Sequence, residues 1–184
     1  MGRAILIKLI SIYSAVEDSL SRLEIQKLCY FTQEAGESLR LSYVKNQYGS
    51  YADNLRHVFT TIEGHFLKGV RDQDTSISQI TLMPEALNEA DKFLVNNSDS
   101  CRRIESVSEL IGGFEGPYGM ELLSTVHWVC TKEPNAQNLK EVIEAIYNWD
   151  ESHPEWNNRK RSLMSEKDIS IAWEHLTKLG WIGQ

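Results

Sequence analysis

The stretch Ser21–Tyr51, SRLEIQKLCYFTQEAGESLRLSYVKNQYGSY, decides the fold because its hydrophobic period changes along its length. It opens with Ser21 and, three residues on, Glu24. That is the spacing of a capping box, in which each side chain satisfies an otherwise orphan backbone N–H at a helix start. The helix predicted after it carries Leu23, Leu28, Phe31 and Ala35 on its core face and stops at Gly36. From Leu39 to Lys45, Leu39, Leu41 and Tyr43 alternate with polar neighbours, the period-two signature of a short strand. Asn46-Gln47-Tyr48-Gly49 then reads as a turn, with Gly49 able to take positive φ. A helix resumes from about 51 to 63, with Ala52, Leu55, Val58, Phe59 and Ile62 on one side.

Working outward, residues 2–14 read as a helix striped by Ile5, Leu6, Leu9, Ile12 and Tyr13. Ile77, Ile80 and Leu82 suggest a second strand that pairs with the first, because a lone strand leaves its ladder unsatisfied. Pro84 and Pro117 sit where helices start, and Gly112 and Gly116 read as a stop and a turn. Segments near 84–96, 101–111, 117–132, 136–149 and 166–179 have helical apolar spacing, the last carrying Ile169, Ala172, Trp173, Leu176 and Leu179. The expected fold class is α+β: one helix-dominated domain, residues 1–184, with a small antiparallel β-hairpin.

With 184 residues, 41% hydrophobic, the chain is long enough for a substantial core. No apolar run approaches the ~20 residues of a membrane span, and no signal-peptide anatomy is present, so the expected location is the cytoplasm. Cys29, Cys101 and Cys130 are three, widely spaced and without a CxxC pair, which excludes a zinc ribbon or a dithiol redox motif. The net charge of −7 is unevenly spread. Residues 1–83 balance nine acids against nine bases, 84–155 hold fourteen acids and five bases, and 156–184 three acids and five bases. The acidic middle repels nucleic-acid phosphates and attracts basic proteins; alternatively it is simply a solvated face.

No catalytic, cofactor-binding or metal-binding constellation rises above background. Gly112–Gly116 (GGFEG) lacks phosphate-loop order and contains a glutamate, and GxSxG, HExxH and Walker motifs are absent. His57, His65, His127, His153 and His175 read as structural or surface residues. Glu121 and His127, six apart on one helix, are offset by about 120° and do not face each other. The triplet Arg159-Lys160-Arg161 reads as solvated surface. The segment Tyr43–Arg56 stands out by placing Tyr43, Tyr48, Tyr51, Asp53 and Asn54 around a strand–turn–helix junction. It suits a protein interface, or else Tyr43 and Tyr51 pack in the core while Asp53 and Asn54 face water.

These strings also carry a family likeness. LEIQKLCYFTQEAGESLRLSYVKNQYGSYADNLRHV, IEGHF, IGGFEGPYGMELLSTVHWV and IAWEHLTKLGW together resemble the C-terminal domain of DarG antitoxins, over residues 2–181. QKLCYF through YGSYA is similar, more loosely, to SocA-like antitoxin domains, with Ser50 where those relatives usually have proline. The resemblance implies an antitoxin domain, not an enzyme, that binds and inhibits a DarT-like DNA ADP-ribosyltransferase. The N-terminal macrodomain that removes ADP-ribose would be absent, and would be a second partner in a full-length relative. On this expectation the acidic segment mimics DNA in the toxin's basic groove. Partner contacts are expected at Tyr43, Lys45, Tyr48, Tyr51, Asn54, Phe114, Glu115, Tyr118, Glu121, Glu141 and Glu144, with no direct nucleic-acid or membrane contact. Two other readings stand beside it: a DNA-binding regulator of a toxin–antitoxin operon, and a hydrolase using Glu63, His65 or His57.

Overall fold

The computed structural model describes residues 2–16, 20–69, 80–134 and 136–183. Two helices form its centre. The first, α2 (Arg22–Glu34), begins with the capping box: Glu24 accepts from the Ser21 backbone N–H at 2.7 Å, and Ser21 Oγ accepts from the Glu24 N–H. Such a cap is worth about 1 kcal/mol. Every side chain from Glu24 to Thr32 is buried, so this helix has no solvent face along that run. The core positions are Ile25, Leu28, Cys29, Tyr30 and Phe31; Leu23, expected among them, is only half-buried. Each fully buried Leu, Ile or Phe contributes about 1.5–3 kcal/mol of transfer free energy. The other central helix, α6 (Pro117–Lys132), starts at Pro117 and buries Met120 to His127 and Val129.

Around this pair, α1 (Gly2–Tyr13) lies against α4 (Pro84–Leu94) and α5 (Ser98–Ile111). Ile5, Leu6, Leu9, Ile10 and Tyr13 of α1 are buried, and Ile12 is half-buried. On the far side α6 meets α7 (Leu139–Tyr147) and α9 (Glu166–Lys178), while α8 (Pro154–Leu163) packs on α7. The sequence pattern did not anticipate α8, whose apolar residues are few. Helix α3 (Leu55–Ile62) is shorter than the expected 51–63.

The strands differ from expectation. Residues 39–43 are irregular, with Arg40 at φ 58°, outside the strand region. The ladder instead joins β1 (Val44–Asn46) to β2 (Gly49–Tyr51), antiparallel, with Lys45 opposite Ser50 across the Gln47-Tyr48 turn. A second antiparallel pair is formed by β3 (Leu67–Lys68) and β4 (Thr81–Leu82). The expected pairing of 39–45 with the 77–82 region is therefore wrong: each short strand has a nearer partner. Ile77 lies outside the described residues. The helix-dominated α+β class holds, with one main hydrophobic core among the described residues. Among those residues no helix is long and apolar enough to cross a membrane.

Candidate functional site

The β1–β2 hairpin is held down by side chains reaching its backbone carbonyls from three directions. Trp149, fully buried, donates its indole N–H to Asn46 O at 2.9 Å. Arg159 of α8 donates to Gln47 O at 3.2 Å, and Lys27 of α2 donates to Ser50 O. Gly49 sits at φ +84°, and a Cβ there would lie 2.8 Å from Thr125 Oγ1, so only glycine fits this approach to α6. The Ser50 hydroxyl is buried without a hydrogen-bond partner.

Beneath the hairpin, Glu121 gathers the cations. Arg159 grips it with two hydrogen bonds, of 2.5 and 2.9 Å, and Lys160 Nζ lies 2.7 Å from the same carboxylate. Burial opposes ionisation of Glu121, but the guanidinium and the ammonium outweigh it and hold the carboxyl below its usual range. Lys160, wholly buried, is lowered by desolvation to about 8, although Glu121 pulls the other way. Desolvation, reinforced by Lys160, lowers Lys27 to about 7. The Arg159 guanidinium lies over the exposed Tyr48 ring, 4.5 Å from its centroid. Arg159-Lys160 is therefore a core element and not the solvated surface expected of it; Arg161 alone stays exposed.

The remaining expected contact residues are scattered. Tyr43 is half-buried against Tyr30 and donates its hydroxyl to Gln26 O at 3.1 Å. Lys45 pairs with Glu133 at 2.6 Å and lies over Trp149. Tyr51 is half-buried, and Asn54 ties the Ser42 N–H to Arg40 O. Glu121 is 3% exposed, so it cannot present its charge to a partner as expected. Glu141 and Glu144 stand on α7, where Glu141 accepts from the Gln137 N–H. Phe114, Glu115 and Tyr118 do come together, in a groove of about 340 Å³ shared with Asp168 and Ile171.

A cleft of about 550 Å³ was not anticipated. Its walls are Glu34 from α2, Asp99, Arg102 and Arg103 from α5, His127 and Thr131 from α6, and Trp181. Arg103 pairs at 2.7 Å with the buried Glu37, and Glu34 pairs with Lys132 at 2.9 Å. Arg102, exposed, bonds Asp99 within its own helix. Desolvation lowers His127 to about 4, and its Nδ1 lies 2.8 Å from the Tyr30 hydroxyl. It is thus a neutral, fixed ring at physiological pH. The adjacent Arg102-Arg103 in an otherwise acidic segment was the sequence signal for this cleft. His57 and His65 are exposed, and Glu63 accepts from the Gly69 N–H; none of them lines this cleft. Among the described residues, no group of three His, Cys, Asp or Glu is placed to hold a metal.

Comparison with known proteins bears on the chain as a whole. A protein of Thermus aquaticus named DNA ADP-ribosyl glycohydrolase is 38% identical over 179 residues, covering 97% of this chain and 47% of that protein. Proteins of the same name from Mycobacterium bovis and Mycobacterium tuberculosis are each 32% identical over 163 residues, 85% of this chain and 44% of theirs. The chain spans about half the length of these curated relatives. No family model matches it. These findings correct the expectations drawn from resemblance. The relatives are named for a glycohydrolase, not for a toxin-binding DarG domain, an inhibitory antitoxin or an operon regulator, and the name is that of an enzyme. The ADP-ribosylation context and the bacterial setting agree with the names.

Proposed function

We propose that this chain works in the enzymatic removal of ADP-ribose from DNA. The observation that carries this reading is the 38% identity, across 97% of the chain, to a protein named for that reaction. The α2–α5–α6 cleft has the chemistry to receive the ADP-ribosyl group. Arg102 and Arg103 offer guanidiniums, which match diphosphate oxygens bidentately. The half-buried Trp181 offers an aromatic wall for the adenine. Glu34 and Asp99 offer carboxylates to ribose hydroxyls, and a carboxylate is also what a glycosidic hydrolysis needs to activate water or stabilise developing positive charge. His127 takes no proton in this scheme, because its burial keeps it neutral.

The acidic surface of 84–155 disfavours contact with the DNA backbone, so in this reading the ADP-ribosyl group, and not the phosphate chain, is what the cleft recognises. The test is to incubate the chain with an ADP-ribosylated oligonucleotide and follow free ADP-ribose by chromatography, alongside calorimetric titration with ADP-ribose itself. Release that Glu34→Gln slows, with binding that Arg102→Ala weakens, is the expected result. No release together with no binding heat overturns the reading.

A further inference from the structure

The groove at the start of α6 is separate from the cleft and has the opposite character. Phe114 and Leu122 line it, Leu122 being 3% exposed and Phe114 packed 4.9 Å from the His175 ring. Tyr118 and Ile171 stand at its wall yet remain 41% and 47% exposed, among the largest exposed apolar side chains of the described residues. Two carboxylates, Glu115 and Asp168, line it, and no cation does. We propose that this groove docks a segment of another protein that presents an arginine or lysine beside an apolar side chain.

Both carboxylates are fixed in advance. Glu115 accepts from the Gly113 N–H at 2.8 Å. Asp168 accepts from the Ser165 hydroxyl at 2.8 Å and the Tyr118 hydroxyl at 2.9 Å. Those hydrogen bonds hold the Asp168 carboxyl below its usual range, so it stays charged. Each carboxylate keeps unused acceptor capacity, and oxygens already held in place lose little entropy when a guanidinium arrives. The exposed Tyr118 ring and the Ile171 side chain supply the apolar contact that a rim of charge alone lacks.

The opposite occupant, an anion drawn to a helix N-terminus, is disfavoured by the same atoms. Pro117 has no N–H, and the Gly116 N–H is already donated to Tyr13 Oη at 2.6 Å. The two carboxylates would face the anion directly. A volume near 340 Å³ suits one long side chain with its flanking backbone. The groove also adjoins the segment with nine excess negative charges, which steers a basic partner towards it.

The proposal stands apart from ADP-ribose removal and is tested without it. The full ¹⁵N-labelled chain is titrated with the blocked pentapeptide Ala-Leu-Arg-Phe-Ala and, separately, with Ala-Leu-Glu-Phe-Ala, while amide cross-peaks are followed. Gly113, Gly116 and Gly119 give well-separated reporters within the groove. The expected result is that the arginine peptide moves these peaks and that of Ile171, while the glutamate peptide does not. The isosteric double variant Glu115→Gln, Asp168→Asn keeps the groove's shape and weakens arginine-peptide binding about tenfold. Equal response to both peptides, no response at millimolar peptide, an unweakened double variant, or the same peaks moving with a single-stranded oligonucleotide overturns it.

Discussion

Two groups of charged side chains, built from the same residue types, stand in opposite relation to water. Under the hairpin, Lys27, Lys160 and Arg159 surround one carboxylate, Glu121, with Lys160 wholly buried. In the cleft, Arg102 and Arg103 share an open wall with Glu34 and Asp99. The first group spends its hydrogen bonds on the protein's own backbone, at Gln47 O and Ser50 O, and has lost its solvation. The second keeps water on Arg102 and has donors left over. Identical functional groups therefore become a clamp in one place and a candidate binding surface in the other, according to what burial leaves them to bond with.

The comparison breaks most readily at Glu121. Removing the carboxylate leaves buried cations without a counter-charge, so Glu121→Ala should destabilise the chain by about 3–5 kcal/mol in urea unfolding. A loss under about 1 kcal/mol would mean that water reaches the cluster. The second effect is its pH dependence. The unfolded chain holds its lysine protons to about pH 10, whereas folded Lys27 and Lys160 release theirs near 7 and 8. The unfolded form thus binds more protons through that window, and stability rises as pH rises from about 7 to 10. Lys27→Met should flatten this rise, measured by thermal unfolding at stepped pH; an unchanged slope would assign the rise to other groups. Smaller again, Tyr48→Ala removes the exposed ring under Arg159 and should cost about 1 kcal/mol. Smallest is Arg102→Ala in the cleft, where an exposed pair within one helix is lost: stability should stay within about 0.5 kcal/mol while ADP-ribose affinity falls.

Much of the scaffold was legible because it is written locally. Ser21 and Glu24 specify a helix start by themselves, and Pro84 and Pro117 mark others by lacking an N–H where none is needed. The alternation in Leu39–Lys45 misled because period two reports only which way side chains point. Arg40 turns out of the strand region, and the ladder begins only at Val44. Helix α8 escapes the hydropathy pattern because its fully buried residue is Lys160, with the half-buried Arg159 and Trp156 beside it, and long cationic side chains count as exposed. The site suffered for the same reason. Tyr48 stands out in the sequence, but its partner Arg159 is 111 positions away in the numbering, and nothing in local spacing couples the two. Phe114, Glu115 and Tyr118 are legible together because they are neighbours in the chain, while Asp168 and Ile171 complete their groove from another helix.

The hairpin clamp also has a consequence in time. Its members come from residue 27, the turn at 46–50, residue 121 and residues 159–160, so it closes some of the longest loops in the chain. Loop closure of that span must be completed before the last water leaves the lysines. A clamp made of such distant contacts should form late on the folding route, so Glu121→Ala is expected to speed unfolding more than it slows refolding in stopped-flow kinetics.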